Sequence, residues 1–332
     1  MSAGLRVEEL MLAYGDKTIL RNLNFEIRPG ELACLMGANG CGKSTLLKTI
    51  SGLRPPQSGA VMIGDRNIHD YEPSERASIV SIVLTERPTL PYMSVREVVA
   101  LGRLPFATFW GGLDKTDYEK VEWALEVSNL KDLASEFYDD LSDGQKQKVL
   151  VARALSQDAP VMLLDEPTTF LDLPRRMDLV LFLKDLALKT DKAILFSTHD
   201  WELVLSMVEK TYLIDDVGRL HCGMPEDLIL TGVMDRAFTT TNLELDVNHG
   251  RFFPTYTDLT YVVLKGDESL LHTWTEHALT KSGFRVRPEA PFVIEISDGI
   301  WIYEGPRGKG RAQSLEDLLR KLHMQKAKFD LV

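Results

Sequence analysis

The segment from Gly37 to Ser44 has residue types and a spacing that suit the binding of nucleotide phosphates. It reads GANGCGKS, which fits the pattern G-x-x-x-x-G-K-[ST] without a mismatch. Glycines let the backbone curl until successive N–H groups point inward at the phosphates. Lys43 adds a mobile positive charge, and the Ser44 hydroxyl can ligate Mg²⁺. Cys41 is either a small filler of this loop or an oxidisable residue that would block the nucleotide.

Two carboxylates and a histidine follow the apolar runs at residues 161–164 and 193–196. Successive side chains of a strand point to opposite faces, so Asp165 and Glu166 cannot share a role while a strand continues. Asp165 suits the outer shell of a phosphate-bound Mg²⁺, and Glu166 is placed to polarise an attacking water. His199 lies just beyond its strand, where ligands bind in an open α/β sheet, although a lone histidine can also be core or surface filler.

The residues around these groups predict the elements that position them. Residues 31–36 are apolar and predict a buried strand before the glycine loop. Leu46, Leu47 and Ile50 predict one buried face of a helix after the loop, and Gly52 would end that helix. Further buried strands are predicted at residues 79–84, 161–166 and 193–196.

Between residues 85 and 140 the pattern turns helical. The tetrapeptide SVRE at residues 94–97 forms a capping box ahead of an apolar run. Residues 117–129 are amphipathic, with Val121, Ala124 and Leu125 on one side. A second glycine-containing turn, LSDG at residues 141–144, then runs into a predicted helix, and a helix start of this kind also presents N–H groups to an anion.

The composition is that of a soluble globular protein with room for two domains. The chain has 332 residues, of which 44% are hydrophobic and 26% are charged. No apolar run approaches the roughly 18 residues of a membrane span, and the N-terminus lacks the apolar segment of a secretory signal. Cys34, Cys41 and Cys222 match neither a disulfide framework nor a zinc-site spacing, which suits free thiols in a reducing cytosol.

The net charge of −11 is confined to the part of the chain before residue 256, because acidic and basic residues balance at 11 each beyond it. An acidic domain is a poor non-specific binder of DNA, since affinity for the duplex comes largely from cationic neutralisation of phosphates. We therefore expect no nucleic-acid partner.

Five motifs together resemble the ATP-binding subunits of ABC transporters. They are GANGCGKST, LSDGQ, LLDEP, TTFLD and STHD, in that order within about 165 residues. The resemblance implies an α/β, P-loop NTPase (ABC-type) fold with a helical subdomain at about residues 88–150, which binds ATP and Mg²⁺ and hydrolyses ATP. The implied catalytic residues are Lys43, Glu166 and His199. The implied nucleotide-binding residues are Tyr14, which would stack on adenine, and Gly37, Ala38, Asn39, Gly40, Cys41, Gly42, Lys43, Ser44 and Thr45.

In that family the signature turn acts across a subunit boundary. It closes on the γ-phosphate held by the other subunit of a head-to-tail dimer, so that two ATP molecules are sandwiched at one interface. Asp143 stands where glycine is common, and we expect its carboxylate to point to solvent. Asp172 matches the aspartate that couples the two sites, and it also suits a helix N-cap. The residues implied to contact a partner's ATP are Leu141, Ser142, Asp143, Gly144 and Gln145.

The implied metal contacts are Ser44, Asp165 and Thr85, of which Thr85 departs from the family pattern. Family members have glutamine after the apolar strand that here covers residues 79–84. The hydroxyl of Thr85 reaches less far than a glutamine amide. Either Glu86 compensates, or a water fills the gap, or the metal is coupled more weakly to the helical subdomain.

Other segments are similar to ATP-binding subunits of importers for iron–siderophore complexes, haem and cobalamin. This resemblance implies a subunit on the cytoplasmic face of the inner membrane that works with a second copy of itself, with integral membrane permease subunits and indirectly with a substrate-binding protein. The alternatives are the ATPase of an exporter and a soluble non-transport ABC protein. The segments are LGRLP at residues 101–105, the motif LLDEPTTFLD, and the aromatic residues Phe106, Phe109 and Trp110, which would line the permease-docking groove or fill the subdomain's own core.

Residues 256–332 are predicted to form a small α+β domain of unknown role beyond an ATPase domain at residues 1–255. Leu271, Trp274 and Ala278 are expected on one face of its first helix. Our hypothesis is that this domain regulates activity or strengthens dimerisation. The predicted order is β-α-β-β-α, with a strand at residues 259–264, a helix at 270–280, a hairpin turn at Asp298 and Gly299, and a helix capped by Ser314.

The loop at residues 306–311, PRGKGR, has three cations and two glycines. It either contacts an anion or a lipid headgroup, or it is a solvated and mobile connection.

Overall fold

The computed structural model describes residues 4–15, 17–86, 88–107, 112–238, 243–247 and 250–326. The chain divides into two compact units, residues 1–238 and residues 239–332. Each unit has its own cluster of buried apolar side chains. No helix in the described ranges is long and apolar enough to span a lipid bilayer.

The strands of the first unit form two sheets. One sheet has the order β2-β1-β4-β5 and is antiparallel. The other has the order β10-β9-β3-β8-β7-β6, in which β10 alone pairs in the antiparallel sense. The strands are β1 Leu5–Tyr14, β2 Lys17–Ile27, β3 Leu32–Gly37, β4 Ser58–Ile63, β5 Arg66–Asn67, β6 Val80–Val83, β7 Val161–Leu164, β8 Ala193–Thr198, β9 Thr211–Ile214 and β10 Leu220–Gly223.

The helix that follows the glycine loop packs into the core between these sheets. Leu46, Leu47 and Ile50 are fully buried in one cluster with side chains from both sheets, as their spacing predicts. The helix ends at Ile50, and Gly52 adopts a left-handed φ of 73°. The helices of this unit are α1 Lys43–Ile50, α2 Pro73–Ala77, α3 Val95–Ala100, α4 Lys115–Val127, α5 Asp143–Ser156, α6 Leu173–Thr190, α7 Trp201–Met207, α8 Pro225–Leu230 and α9 Val233–Phe238.

The predicted helical part is confirmed as α3, α4 and α5. The Ser94 hydroxyl accepts from the Glu97 N–H and the Glu97 carboxylate accepts from the Ser94 N–H, so the capping box is formed. The amphipathic helix α4 begins two residues earlier than predicted because Asp114 caps it. Phe109 and Trp110, two of the three aromatic residues proposed for the docking groove, lie outside the described residues.

A buried arginine connects three segments of the helical part through side-chain hydrogen bonds. Arg103, in the 3₁₀ segment Leu101–Phe106, is 8% exposed and donates from Nε to Asp117 Oδ1 at 2.8 Å. Its Nη1 donates to the carbonyl oxygens of Ser156 and Gln157 at 3.0 and 3.1 Å, where α5 ends. Phe106, the third candidate aromatic residue, lies under the guanidinium at 3.9 Å.

At Gly102 the backbone of the 3₁₀ segment packs directly against α5. A Cβ atom at this position would lie 2.1 Å from the Arg153 carbonyl oxygen and 2.3 Å from Ser156 Oγ. No side chain fits there, so the glycine lets the two backbones meet and brings Arg103 within reach of the helix end.

The second unit contains a mixed five-stranded sheet and a separate hairpin. The sheet order is β14-β13-β15-β16-β17, with β13 parallel to both of its neighbours, while β11 and β12 pair alone. The elements are β11 Leu243–Asp246, β12 Arg251–Pro254, β13 Thr260–Lys265, α10 Leu270–Thr280, β14 Phe284–Val286, β15 Phe292–Ser297, β16 Ile300–Gly305, β17 Gly308–Ala312 and α11 Leu315–Lys326.

Several predictions for this unit are confirmed and two are wrong. The helix α10 has the predicted bounds, and Asp298 and Gly299 form the predicted turn with φ values of 49° and 76°. Trp274 is expected on one face with Leu271 and Ala278, but it is 48% exposed, and the buried face of α10 carries Thr275, Ala278 and Leu279. Residues 308–312 are not a loose connection but strand β17, which pairs with β16, and β14 is a further strand that the pattern does not predict.

Candidate nucleotide site

The glycine loop between β3 and α1 has a backbone that only glycine adopts readily. Gly40 and Gly42 have φ values of 79° and 110°. A Cβ atom on Gly42 would also lie 2.8 Å from the Ile19 side chain. Lys43 is 5% exposed, and its Nζ donates to the carbonyl oxygens of Gly37 at 2.9 Å and Ala38 at 3.2 Å. The ammonium group is therefore held against the backbone of the loop.

Glu166 lies at the centre of a small polar cluster. Its Oε2 is 3.2 Å from Nδ1 of His199 and accepts from the Thr169 hydroxyl at 3.1 Å, while its Oε1 is 3.8 Å from Lys43 Nζ. Strands β7 and β8 are parallel neighbours, so their ends bring Glu166 and His199 together. Lys43 and His199, which are both far from Glu166 in the sequence, thus lie next to its carboxylate, and the three implied catalytic residues are brought together.

The prediction that a strand continues through the two acids is wrong. Strand β7 ends at Leu164, and Glu166 has a left-handed φ of 47°. A turn, and not the alternation of a strand, therefore separates the two carboxylates. Such a φ is uncommon for a residue with a side chain, and functional sites are where this strain tends to persist.

Ser197 supports both acids and is a site residue that the sequence pattern does not identify. Its hydroxyl donates to Asp165 Oδ1 at 2.7 Å and accepts from the Glu166 N–H at 2.8 Å. The side chain is fully buried at the end of β8. Thr85 also lies beside Asp165, because its hydroxyl donates to the Asp165 carbonyl oxygen at 3.0 Å. The only sequence signal for Ser197 is that it and Thr198 place hydroxyl groups at the end of a strand that is otherwise apolar.

The donor set around Asp165 suits a hard divalent cation. Carboxylate and hydroxyl oxygens are the ligands that Mg²⁺ prefers, and it commonly keeps several waters. Asp165 is 4% exposed and held in one orientation by Ser197, whereas Ser44 is exposed on the first turn of α1. Glu86 is exposed next to the half-buried Thr85. These residues fit the cation that the motif requires.

A cleft of about 570 Å³ extends from the glycine loop to Tyr14. Tyr14 is 59% exposed on the end of β1, and a hydrogen bond with Thr45 together with the charge of Arg54 lowers the pKa of its phenol. Burial raises the pKa of the Cys41 thiol, against the opposing effect of Lys43. Arg54, which lies next to Tyr14, is another site residue that the sequence pattern does not identify. The cleft is lined by Tyr14, Lys17, Thr18, Ile19, Ala38, Asn39, Gly40, Cys41, Gly42, Thr45, Asp215, Asp216, Val217, Gly218 and Ala237.

The signature turn forms the first turn of α5. Ser142 caps the helix, with the Gln145 N–H donating to its hydroxyl at 3.5 Å and its own N–H donating to Gln145 Oε1 at 3.0 Å. Asp143 is exposed, as expected, and Leu141 is buried. Gly144 lies against the side chain of Arg175.

The signature turn has a cleft of its own, separate from the nucleotide cleft. It has a volume of about 230 Å³, and among the described residues none lines both clefts. Asp172 lies beside it as the N-cap of α6, accepting from the Arg175 N–H at 3.1 Å. The helix-capping alternative for Asp172 is thus confirmed, and its coupling role stays a prediction. The lining residues are Ser142, Gly144, Gln145, Lys148, Leu171, Arg175, Asp178 and Leu179.

Comparison with protein families matches both units. Residues 20–169 match the family model described as "ABC transporter". Residues 260–323 match the model described as "Iron ABC transporter C-terminal domain". The two matches fall in the two compact units of the structure.

Individual relatives agree with these matches. The chain is 36% identical to an uncharacterised ABC transporter ATP-binding protein of Methanocaldococcus jannaschii, over 72% of this chain and 82% of the relative. It is 33% identical to the ferric enterobactin transport ATP-binding protein FepC of Escherichia coli, over 71% of this chain and 87% of that protein.

Among solved structures, the chain is similar to cbiO1 from Clostridium perfringens, part of the ABC transporter complex cbiONQ. The TM-score is 0.61 at 28% identity, with coverage of 70% of this chain and 92% of that chain. This likeness confirms the predicted P-loop NTPase fold. With the nucleotide cleft and the family matches, it leads to one conclusion: the chain belongs to the ABC transporter family, as one of its ATP-binding, ATP-hydrolysing subunits.

Proposed function

We propose that two copies of the chain close head to tail around two ATP molecules. The observation that carries this proposal is the separation of the two clefts: Lys43, Glu166 and His199 converge in one part of the unit, and the signature turn lines another. A helix start that presents N–H groups is suited to a phosphate. In the proposed dimer, the turn at residues 141–145 therefore acts on the ATP held by the partner, and Asp172 couples the two sites.

Hydrolysis uses residues that the fold holds in place before ATP arrives. Glu166 accepts a proton from the attacking water, and His199 and Thr169 orient its carboxylate. Lys43 and the loop N–H groups oppose the charge that spreads over the transferred phosphoryl oxygens. Ser44 and Asp165, with Thr85 at its side, would hold Mg²⁺, which when bound neutralises the negative charge of the β- and γ-phosphates. Tyr14 stacks on the base.

The proposed cargo is an iron–siderophore, haem or cobalamin-type complex taken up across the inner membrane. Support comes from the match of residues 260–323 to a domain named for iron ABC transporters and from the ferric enterobactin relative. The subunit binds to the cytoplasmic face of a membrane permease through its helical part. A substrate-binding protein delivers the cargo to that permease, and the ATPase does not touch it.

Two measurements test this proposal. The specific ATPase activity of the full chain should rise with protein concentration and then level off, as dimerisation becomes complete. A concentration-independent activity in a strictly monomeric protein would rule out the dimer. For the cargo, a host strain lacking the gene should lose uptake of radioactive iron supplied as a siderophore complex and regain it with the wild-type gene. Unchanged uptake of iron, haem and cobalamin in that strain would exclude the import role.

A further inference from the structure

One face of the Tyr14 ring is covered by an arginine. The Arg54 guanidinium carbon lies 3.6 Å from the ring centroid, and Arg54 Nη2 donates to the Ala13 carbonyl oxygen at 2.6 Å. The Tyr14 residue as a whole nevertheless remains 59% exposed. The arginine therefore blocks one side of the ring, and the other side stays accessible.

The backbone fixes where Arg54 points. Helix α1 ends at Ile50 and is followed by Gly52, whose φ is 73°, and the N–H groups of Leu53 and Arg54 both donate to the Lys48 carbonyl oxygen at 3.0 and 3.2 Å. The same helix begins with Lys43 in the glycine loop. One rigid helix thus carries the phosphate-binding loop at its start and the support of the Tyr14 ring just beyond its end.

We propose that Arg54 is a positioning residue that holds the Tyr14 ring in one orientation, so that a purine base stacks on its open face. This inference rests on the proposed role of Tyr14 in ATP binding. An exposed tyrosine without support loses side-chain freedom when a base stacks on it, and that lost freedom weakens binding. The guanidinium removes much of this cost in advance, because it restricts the ring from behind through a cation–π contact and is itself anchored to Ala13.

The test compares ATP with inorganic tripolyphosphate, which has no base. In the full-length protein, Arg54→Ala should weaken ATP binding about two- to fivefold, the range that an exposed cation–π contact supplies. Tripolyphosphate binding should not change, and this also shows that the glycine loop is intact. Arg54→Lys keeps the charge but loses the planar contact, so it should fall between the wild type and the alanine variant.

A matched control is available in the second unit. Arg287 stacks on Tyr261 at 3.9 Å in the same manner, and neither residue is among those that line the nucleotide cleft. Arg287→Ala should leave the binding of both ligands unchanged. A lower ATP affinity in this control would mean that loss of any such pair weakens binding, which would overturn the specific role of Arg54.

Two results with the Arg54 variants would overturn the inference. Equal weakening of ATP and tripolyphosphate by Arg54→Ala would make Arg54 a phosphate ligand instead of a support for the ring. Unchanged ATP binding would show that the ring needs no support. Failure of the proposed function looks different: the wild type would not bind ATP, or Tyr14→Ala would bind ATP as tightly as the wild type.

Discussion

The carboxylate of Glu166 lies 3.2 Å from Nδ1 of His199, and the same carboxylate lies 3.8 Å from the ammonium group of Lys43. His199 directly follows strand β8, and Lys43 begins helix α1, which the glycine loop joins to the neighbouring strand β3. The carboxylate of the proposed base therefore lies between an imidazole and an ammonium group.

Glu166→Gln should abolish ATP turnover and retain ATP binding. Glutamine keeps the size and one oxygen of the side chain but cannot accept the proton, and loss of a general base commonly costs about 10²- to 10⁴-fold in rate. We expect an ATP-bound dimer that persists in size-exclusion chromatography with light scattering. A turnover within about threefold of the wild type would remove Glu166 from the role of base.

Ser197→Ala should raise the Mg²⁺ concentration required for activity by about 10- to 100-fold, the usual effect of removing a partner of a metal ligand. The variant leaves Asp165 without its 2.7 Å donor and the Glu166 N–H without its acceptor. The measurement is ATPase rate against Mg²⁺ concentration. Ser206→Ala is the matched control, since that hydroxyl only donates to the Glu202 carbonyl oxygen of its own helix. Equal Mg²⁺ profiles for both variants would contradict the role of Ser197.

Arg103→Met should lower the free energy of unfolding by about 3–5 kcal/mol, because it leaves the buried Asp117 charge without its partner. Adding Asp117→Asn should recover part of this loss, since the neutral amide no longer carries an unpaired charge. Lys115→Met, which removes an exposed pair with Glu119, should cost less than about 1 kcal/mol. Urea unfolding of all four proteins gives the comparison. A loss below about 1 kcal/mol for Arg103→Met would show that the buried pair contributes little.

The three cysteines should differ in alkylation. Burial raises the pKa of Cys41, so the reactive thiolate is scarce at pH 7 and labelling should rise steeply only above the ordinary thiol pKa of about 8.5. ATP should protect Cys41, which lines the nucleotide cleft, and leave the exposed Cys222 unprotected. Cys34, fully buried, should stay unmodified. Peptide mass spectrometry reads all three sites at once. Equal protection of Cys41 and Cys222 would place Cys41 outside the ATP contact.

The parts of the fold that follow from the sequence are those encoded by neighbouring residues. The loop at residues 37–44 contains its own glycines and lysine, and Ser94 and Glu97 cap each other across one turn. Asp298 and Gly299 likewise determine a hairpin turn between two apolar strands. In each case the local structure depends only on residues within the segment itself. It can therefore be predicted without knowing which distant residues contact that segment.

The features that sequence reasoning misses depend on contacts between distant segments. Ser197 meets Asp165 across 32 positions, and Arg54 meets Ala13 across 41. Periodicity likewise does not predict that Thr275 is buried in place of Trp274. Thr275 points inward because it accepts a hydrogen bond from the indole of Trp301, a strand residue 26 positions away.

Strand β17 shows a different reason for a wrong prediction. Its sequence, GKGRA, lacks the β-branched and aromatic residues that favour strands. It pairs with β16 because Gly310 gives room to the ring of Tyr303, whose hydroxyl would lie 2.4 Å from a Cβ atom at that position. The glycine that looks like a loop residue in the sequence is therefore a packing residue in the sheet.

The close approach at Gly102 limits how this subunit can be re-engineered. The segment that bears Phe106 cannot be exchanged alone for that of another transporter subunit, because its backbone is fitted to Arg153 and Ser156 on α5. A chimera designed to recognise a different permease would have to transplant the end of α5 together with that segment. The exchangeable part is thus larger than the surface that we propose binds the membrane partner.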